Sequence, residues 1–272
     1  MKILISTDIE GVAGVFHPEQ TRAGNAEYER ARRLMTDEAN AAIAGAFDAG
    51  AAEVLVNDSH GGFRNLLPDV LDARAQAVLG KPRYLSMVAG VDAPGVEAVC
   101  MVGYHGRAQG RGVLAHTINS FAFARVWFND QEFGEMAIYG ALAGAYGVPV
   151  AMASGDDVFI AEHRPLFPGT EFVQTKRATG FSSGVSLSPG AACAAIRAGV
   201  RDALLRRAAR PFVISGAVAV RVQTQSTALA DLFCQWPALR RLSGNELALD
   251  ANSVEDAVRM LNSLSAMSAM LR

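Results

Sequence analysis

The chain has 272 residues, of which 50% are apolar and 19% charged, with a formal charge of −2. That is enough apolar surface for a large core and argues against disorder, while so small a net charge gives no electrostatic basis for binding nucleic acid or an anionic membrane. No stretch reaches the roughly 18 uninterrupted apolar residues of a membrane span, and the first strand is not preceded by a signal-peptide pattern, so a cytoplasmic protein is expected. Cys100, Cys193 and Cys234 stand apart without a CxxC and are expected to be reduced thiols.

The chain opens on Lys2-Ile3-Leu4-Ile5-Ser6-Thr7, which runs directly into Asp8-Ile9-Glu10-Gly11. A strand over 2–7 is predicted. Carboxylates at the end of a buried strand need cations or a metal, because isolated buried charge is strongly disfavoured. A helix follows over 25–49, where Tyr28, Ala31, Leu34, Met35, Ala39, Ala42, Ile43 and Phe47 recur at helical spacing and Gly50 suits the cap. Strands over 53–58 and 97–103 lead into Asn57-Asp58-Ser59-His60 and Gly103-Tyr104-His105. A Gly/Arg loop then carries the chain to His116. A strand from Phe123 with a turn at Asn129-Asp130, a helix over 134–146 with Glu135 in its first turn, and a strand over 148–153 complete the first part.

After Asp156-Asp157 the texture changes. A polar stretch from Ala178 to Pro189 precedes a helix over 190–209, a strand over 212–222, a helix over 226–234, a strand near 246–250 and a last helix over 253–271. The alternation predicts an α/β fold, a mostly parallel sheet with helices on both faces. Residues 1–160 are expected as the metal-binding catalytic domain, and 161–272 as a smaller α+β C-terminal lobe serving the substrate pocket or oligomerisation.

In parallel sheets, ligands bind beyond the carboxyl ends of the strands, which would gather Asp8, Glu10, His60 and His105 at one edge. Carboxylates with imidazoles suit Zn²⁺, Mn²⁺ or Co²⁺, and the number of oxygens leaves room for a second ion. Glu135 and His116 are candidates to complete the set, although locally Glu135 also reads as an ordinary helix-start acid and His116 as a solvated loop histidine. One of Asp156 and Asp157 suits a helix N-cap, Asn57 and Asp58 are candidates to orient His60, and His17 and His163 are expected at the surface.

These segments resemble the zinc-dependent D-aminopeptidases of the type associated with bacterial dipeptide-transport operons. The resemblance rests on Ser6-Thr7-Asp8-Ile9-Glu10-Gly11-Val12-Ala13-Gly14, Tyr28-Glu29-Arg30-Ala31-Arg32 with Met35-Thr36-Asp37-Glu38-Ala39-Asn40, and Glu53-Val54-Leu55-Val56-Asn57-Asp58-Ser59-His60. It continues through Ser86-Met87-Val88, Gly103-Tyr104-His105, His116, Asn129-Asp130 with Gly134-Glu135, and Gly155-Asp156-Asp157. It implies a two-zinc site on Asp8, Glu10, His60, His105 and Glu135, with Asp8 bridging and His116 as the catalytic group. It further implies a homo-oligomeric metallo-aminopeptidase that removes the N-terminal residue, D-configured, from short peptides or amino-acid amides. Gly106 stands directly after His105, where the family usually has alanine, and the stretch from His116 to Glu135 is longer than usual. Both departures flank the substrate pocket and bear on stereochemical preference rather than on the metals. The residues by themselves leave open a metal-dependent phosphoesterase, with Arg107 and Arg111 to grip phosphate, and a non-catalytic peptide- or metal-binding protein.

Overall fold

The computed structural model describes residues 1–272. In chain order the elements are β1 (Lys2–Thr7), α1 (Ala26–Asp48), β2 (Glu53–Asp58), β3 (Gln76–Val78), β4 (Val96–Val102), β5 (Phe123–Phe128), β6 (Gln131–Glu132), α2 (Glu135–Ala145) and β7 (Val150–Asp156). They continue with α3 (Asp157–His163), β8 (Glu171–Gly180), β9 (Ser183–Ser186), α4 (Pro189–Arg206), β10 (Val218–Thr224), α5 (Thr227–Phe233), β11 (Arg240–Arg241), β12 (Glu246–Ala251) and α6 (Val254–Met267).

The larger sheet has seven strands in the order β3-β2-β1-β4-β7-β8-β9, parallel throughout except for the edge strand β9. The second sheet, β11-β12-β10-β5-β6, is antiparallel. This is the expected α/β architecture. Both sheets cross residue 160: β8 and β9 extend the first, while β5 and β6 belong to the second.

β1 shows why its sequence is almost wholly apolar. Ile3 and Ile5 face one side with Val54, Val56 and Cys100, where α1 and α4 contribute Ala31, Met35, Ile43, Ile196 and Val200. Leu4 faces the other side with Val99 and Met101, against Met136 and Ile138 of α2, Val220 and Leu249 of the second sheet, and Leu261 of α6. A parallel strand covered on both faces has no use for alternating polarity. The long α1 starts where Asn25 accepts a hydrogen bond from the Tyr28 amide, and Glu27 and Glu29 favour its positive end.

Strand order reverses at β1 and β4, and the loops leaving these two strands touch. The Asp8 amide donates to Val102 O at 2.8 Å and the Gly11 amide to Gly103 O at 2.7 Å. Glycine is required there: a Cβ on Gly11 would lie 2.0 Å from the Tyr104 carbonyl oxygen, and Gly103 has φ +75°. Gly11→Ala is therefore expected to destabilise the protein by about 1–3 kcal/mol through overpacking. It should also part the two loops, seen as a lower melting temperature together with weaker metal retention.

Several expectations shift. The polar stretch Ala178 to Pro189 is not a plain connection but the end of β8, a tight turn and β9. The strand expected over 212–222 starts only at Val218, after Pro211 and a left-handed Gly216 (φ +77°), and runs on to Thr224. α4 stops at Arg206, because Arg207 turns left-handed, not at 209. β8 escapes sequence patterning because two of its buried side chains, Thr175 and Lys176, are polar.

Candidate metal centre

The carboxyl ends of β1, β2 and β4 and the first residue of α2 converge on one point. Asp8, Glu10, His105 and Glu135 are buried there, and His60 and His116 are partly so. Asp8 divides the cluster in two. Its Oδ1 lies 3.2 Å from His60 Nδ1, which is also 3.1 Å from Glu10 Oε2. Its Oδ2 lies 3.4 Å from His105 Nε2, which is 3.5 Å from Glu135 Oε1. That same Glu135 oxygen is 3.6 Å from His116 Nε2.

All three imidazoles are turned by the same device. His60 Nε2 meets Thr21 O at 2.8 Å, His105 Nδ1 meets Gly106 O at 2.9 Å, and His116 Nδ1 meets Leu114 O at 2.9 Å. A carbonyl oxygen only accepts, so each ring donates outward and, when neutral, presents its inner nitrogen as a lone pair to the carboxylates. The His105 and His116 rings stack at 4.1 Å, which steadies both. The carboxylates of Asp8 and Glu135 are each anchored by an amide, from Ile9 at 2.9 Å and Ile118 at 2.6 Å.

Lone pairs aimed at carboxylates repel unless a cation lies between them. Glu10 Oε2 and His105 Nε2 are buried and make no hydrogen bond. Ligands bonded at about 2.0–2.1 Å to a tetrahedral ion sit about 3.3 Å apart. The cross-distances here, 3.1 to 3.6 Å, bracket that value. The residues present therefore fit a divalent metal.

Metal-free, the cluster has to hold protons instead. Burial and the neighbouring Glu10 charge push Asp8 upward. Burial would raise Glu10 too, but the His60 imidazolium holds it well below the usual carboxylate range. Burial would depress His60 and His105, yet Glu10 with Asp8 around the first, and Glu135 with Asp8 around the second, hold both well above an ordinary imidazole. Folded values raised above the unfolded one stabilise fully below about pH 6.5, and the stabilisation is lost as pH rises through the folded values. The melting temperature of metal-free protein is expected to fall as pH rises above about 6.5 and through the raised folded values of these two histidines, and that of metal-loaded protein to change little. Parallel thermal melts with and without chelator test this; identical profiles would contradict it.

The supporting residues differ in part from expectation. Asp58 accepts from the Asn65 amide, from Asn65 Nδ2 at 2.8 Å and from the Leu66 amide at 2.7 Å, while Asn57 Nδ2 donates to Ser86 O and Ala89 O. They brace the loops around His60 rather than its ring. Asp156 is the N-cap of α3 through the Phe159 amide at 2.7 Å, and it also accepts from the Val113 amide at 2.6 Å, bracing the loop to His116. His17 is exposed and caps a short 3₁₀ turn. His163 is not a surface residue: it is 2% exposed beside Phe159, and apolar burial pushes it down to about 4. The carbonyls of Thr21, Gly106 and Leu114 carry no sequence signal. The site opens into a cavity of about 1230 Å³ lined also by Lys81, Arg83, Tyr139 and Asn262.

A family model described as D-aminopeptidase matches residues 1–263. A D-aminopeptidase of Bacillus subtilis strain 168 is 38% identical over 192 residues, which is 71% of this chain and 69% of that protein. A solved structure described as the Zn-dependent D-aminopeptidase DppA from Bacillus subtilis, a self-compartmentalizing protease, superposes with a TM-score of 0.95 at 29% identity, over 99% of this chain and 98% of that one. Matched along nearly its whole length in sequence and in fold, the chain belongs to the D-aminopeptidase family of peptidases.

Proposed function

We propose that the protein is a two-zinc aminopeptidase that removes a D-configured N-terminal residue from short peptides or amino-acid amides. The observation that carries this reading is Asp8 with one oxygen toward His60 and the other toward His105. Asp8, Glu10 and His60 would hold one ion, and Asp8, His105 and Glu135 the other. Three buried carboxylates match two divalent cations to within one unit of charge. Zinc is favoured over Mn²⁺ or Co²⁺ by the Zn-dependence of the DppA relative. When bound, zinc supplies the Lewis acidity that activates water and polarises the scissile carbonyl.

His116 is assigned to proton transfer. Its Nδ1 is tied to Leu114 O and the residue lines the cavity, which leaves Nε2 to take a proton and return it to the leaving amine. The D preference and a homo-oligomeric assembly rest on the descriptions of the relatives, and a cytoplasmic location accords with three free thiols.

The test is amine release from matched D- and L-amino-acid amides and dipeptides, before and after chelation and after zinc re-addition. Release from D-substrates that chelator abolishes and zinc restores is expected. Release from L-substrates alone would overturn the stereochemical part, and chelator-resistant release would overturn the metal part.

A further inference from the structure

We infer that Lys176, on a strand that carries no ligand, positions Glu10 by clamping the loop that follows β1, and so sets the affinity for the ion on the Asp8–Glu10–His60 side. The inference rests on the two-ion reading above.

Lys176 is 2% exposed, and its ammonium donates to the carbonyls of Glu10 at 2.5 Å, Val12 at 3.1 Å and Val15. These use all three of its N–H donors. The rest of the loop is held with equal economy from other elements. Thr175 Oγ1 donates to Gly11 O at 2.7 Å, Glu38 accepts from the Ala13 amide at 2.9 Å, and Ser186 accepts from the Gly14 amide at 2.9 Å. Every residue from Glu10 to Val15 thus has a backbone group pinned by a side chain from α1, β8 or β9.

Glu10 needs such help more than the other acids do. Asp8 and Glu135 each have a carboxylate anchored by a backbone amide, whereas no amide anchors the Glu10 carboxylate, which has only the His60 ring 3.1 Å from its buried Oε2. Its aim is left to the placement of its own backbone. Lys176 makes no ion pair within 4.0 Å, and burial pushes its ammonium down to about 8, a cost that an apolar side chain would avoid. Three carbonyls converging on one atom suit a compact ammonium better than a planar guanidinium.

The experiment is zinc titration of full-length protein against a competing chromophoric chelator, with elemental analysis for stoichiometry and a thermal melt. In Lys176→Met one ion should bind as in the wild type and the other about 10–100-fold more weakly, the usual loss when a group supporting a metal ligand is removed. In a Glu10→Gln background, Lys176→Met should add no further loss of affinity. Wild-type affinity for both ions, or equal weakening of both, would leave Lys176 a merely structural role and overturn the inference. If Lys176→Met does not fold, Thr175→Val decides by the same readings: a smaller loss confined to one ion supports the inference, and no selective loss overturns it. A wild-type protein that binds fewer than two ions would overturn the two-ion reading itself, and the inference with it.

Discussion

Asp8→Asn is expected to lose both ions and to lower kcat/KM at least about 10³-fold, roughly 4 kcal/mol of transition-state stabilisation. Asparagine keeps the shape but not the charge, and Asp8 is the one side chain that reaches both halves of the site. Glu10→Gln and His60→Asn touch only one half, so each should lose one ion and keep the other. The stability effect should have the opposite sign in metal-free protein. There Asp8 is a buried acid beside the Glu10 charge, and removing its charge relieves repulsion. Metal-free Asp8→Asn should melt no lower than metal-free wild type, while zinc should raise the melting temperature of the wild type alone. Metal analysis, kinetics and paired melts test all parts; an Asp8→Asn protein holding two ions would refute the bridging role.

His116→Ala should behave differently: both ions kept, and kcat lowered about 10²–10⁴-fold, the span typical of general acid–base groups. KM should change much less, because the role proposed for the histidine concerns a proton rather than substrate affinity. The ring also stacks on His105 at 4.1 Å, so truncation alone would mix lost packing with lost chemistry. His116→Phe separates them, since it keeps a ring against His105 but has no nitrogen. Equal inactivity of the two variants with full metal content is the expected result. Near-wild-type turnover in either would remove His116 from the mechanism.

Much of this site is legible in the chain. Asp8, Glu10, His60 and His105 each follow a continuous apolar run, and such runs are parallel strands whose carboxyl ends border the crevice. Glu135 and His116 are different. Nothing beside them in sequence separates a ligand from a helix-start acid, or a proton-transfer group from a loop histidine. The family resemblance singles them out, and the fold brings them within 3.6 Å of each other. His163 misleads for the same reason, because its burial depends on Phe159 and the packing of α3 rather than on local pattern.

The parallel core strands, the long amphipathic α1 and the ligand-type residues at the strand ends can be read from the chain alone, because apolar periodicity is a local property. The folded structure alone sets which way each imidazole faces, since the carbonyls of Thr21, Gly106 and Leu114 are backbone groups that every residue possesses. It alone, too, seated Lys176 beneath the Glu10 loop, from 166 residues away in the chain. A buried polar side chain is intelligible only through its partners, and when those partners are distant, folding must bring them together before the residue has a meaning.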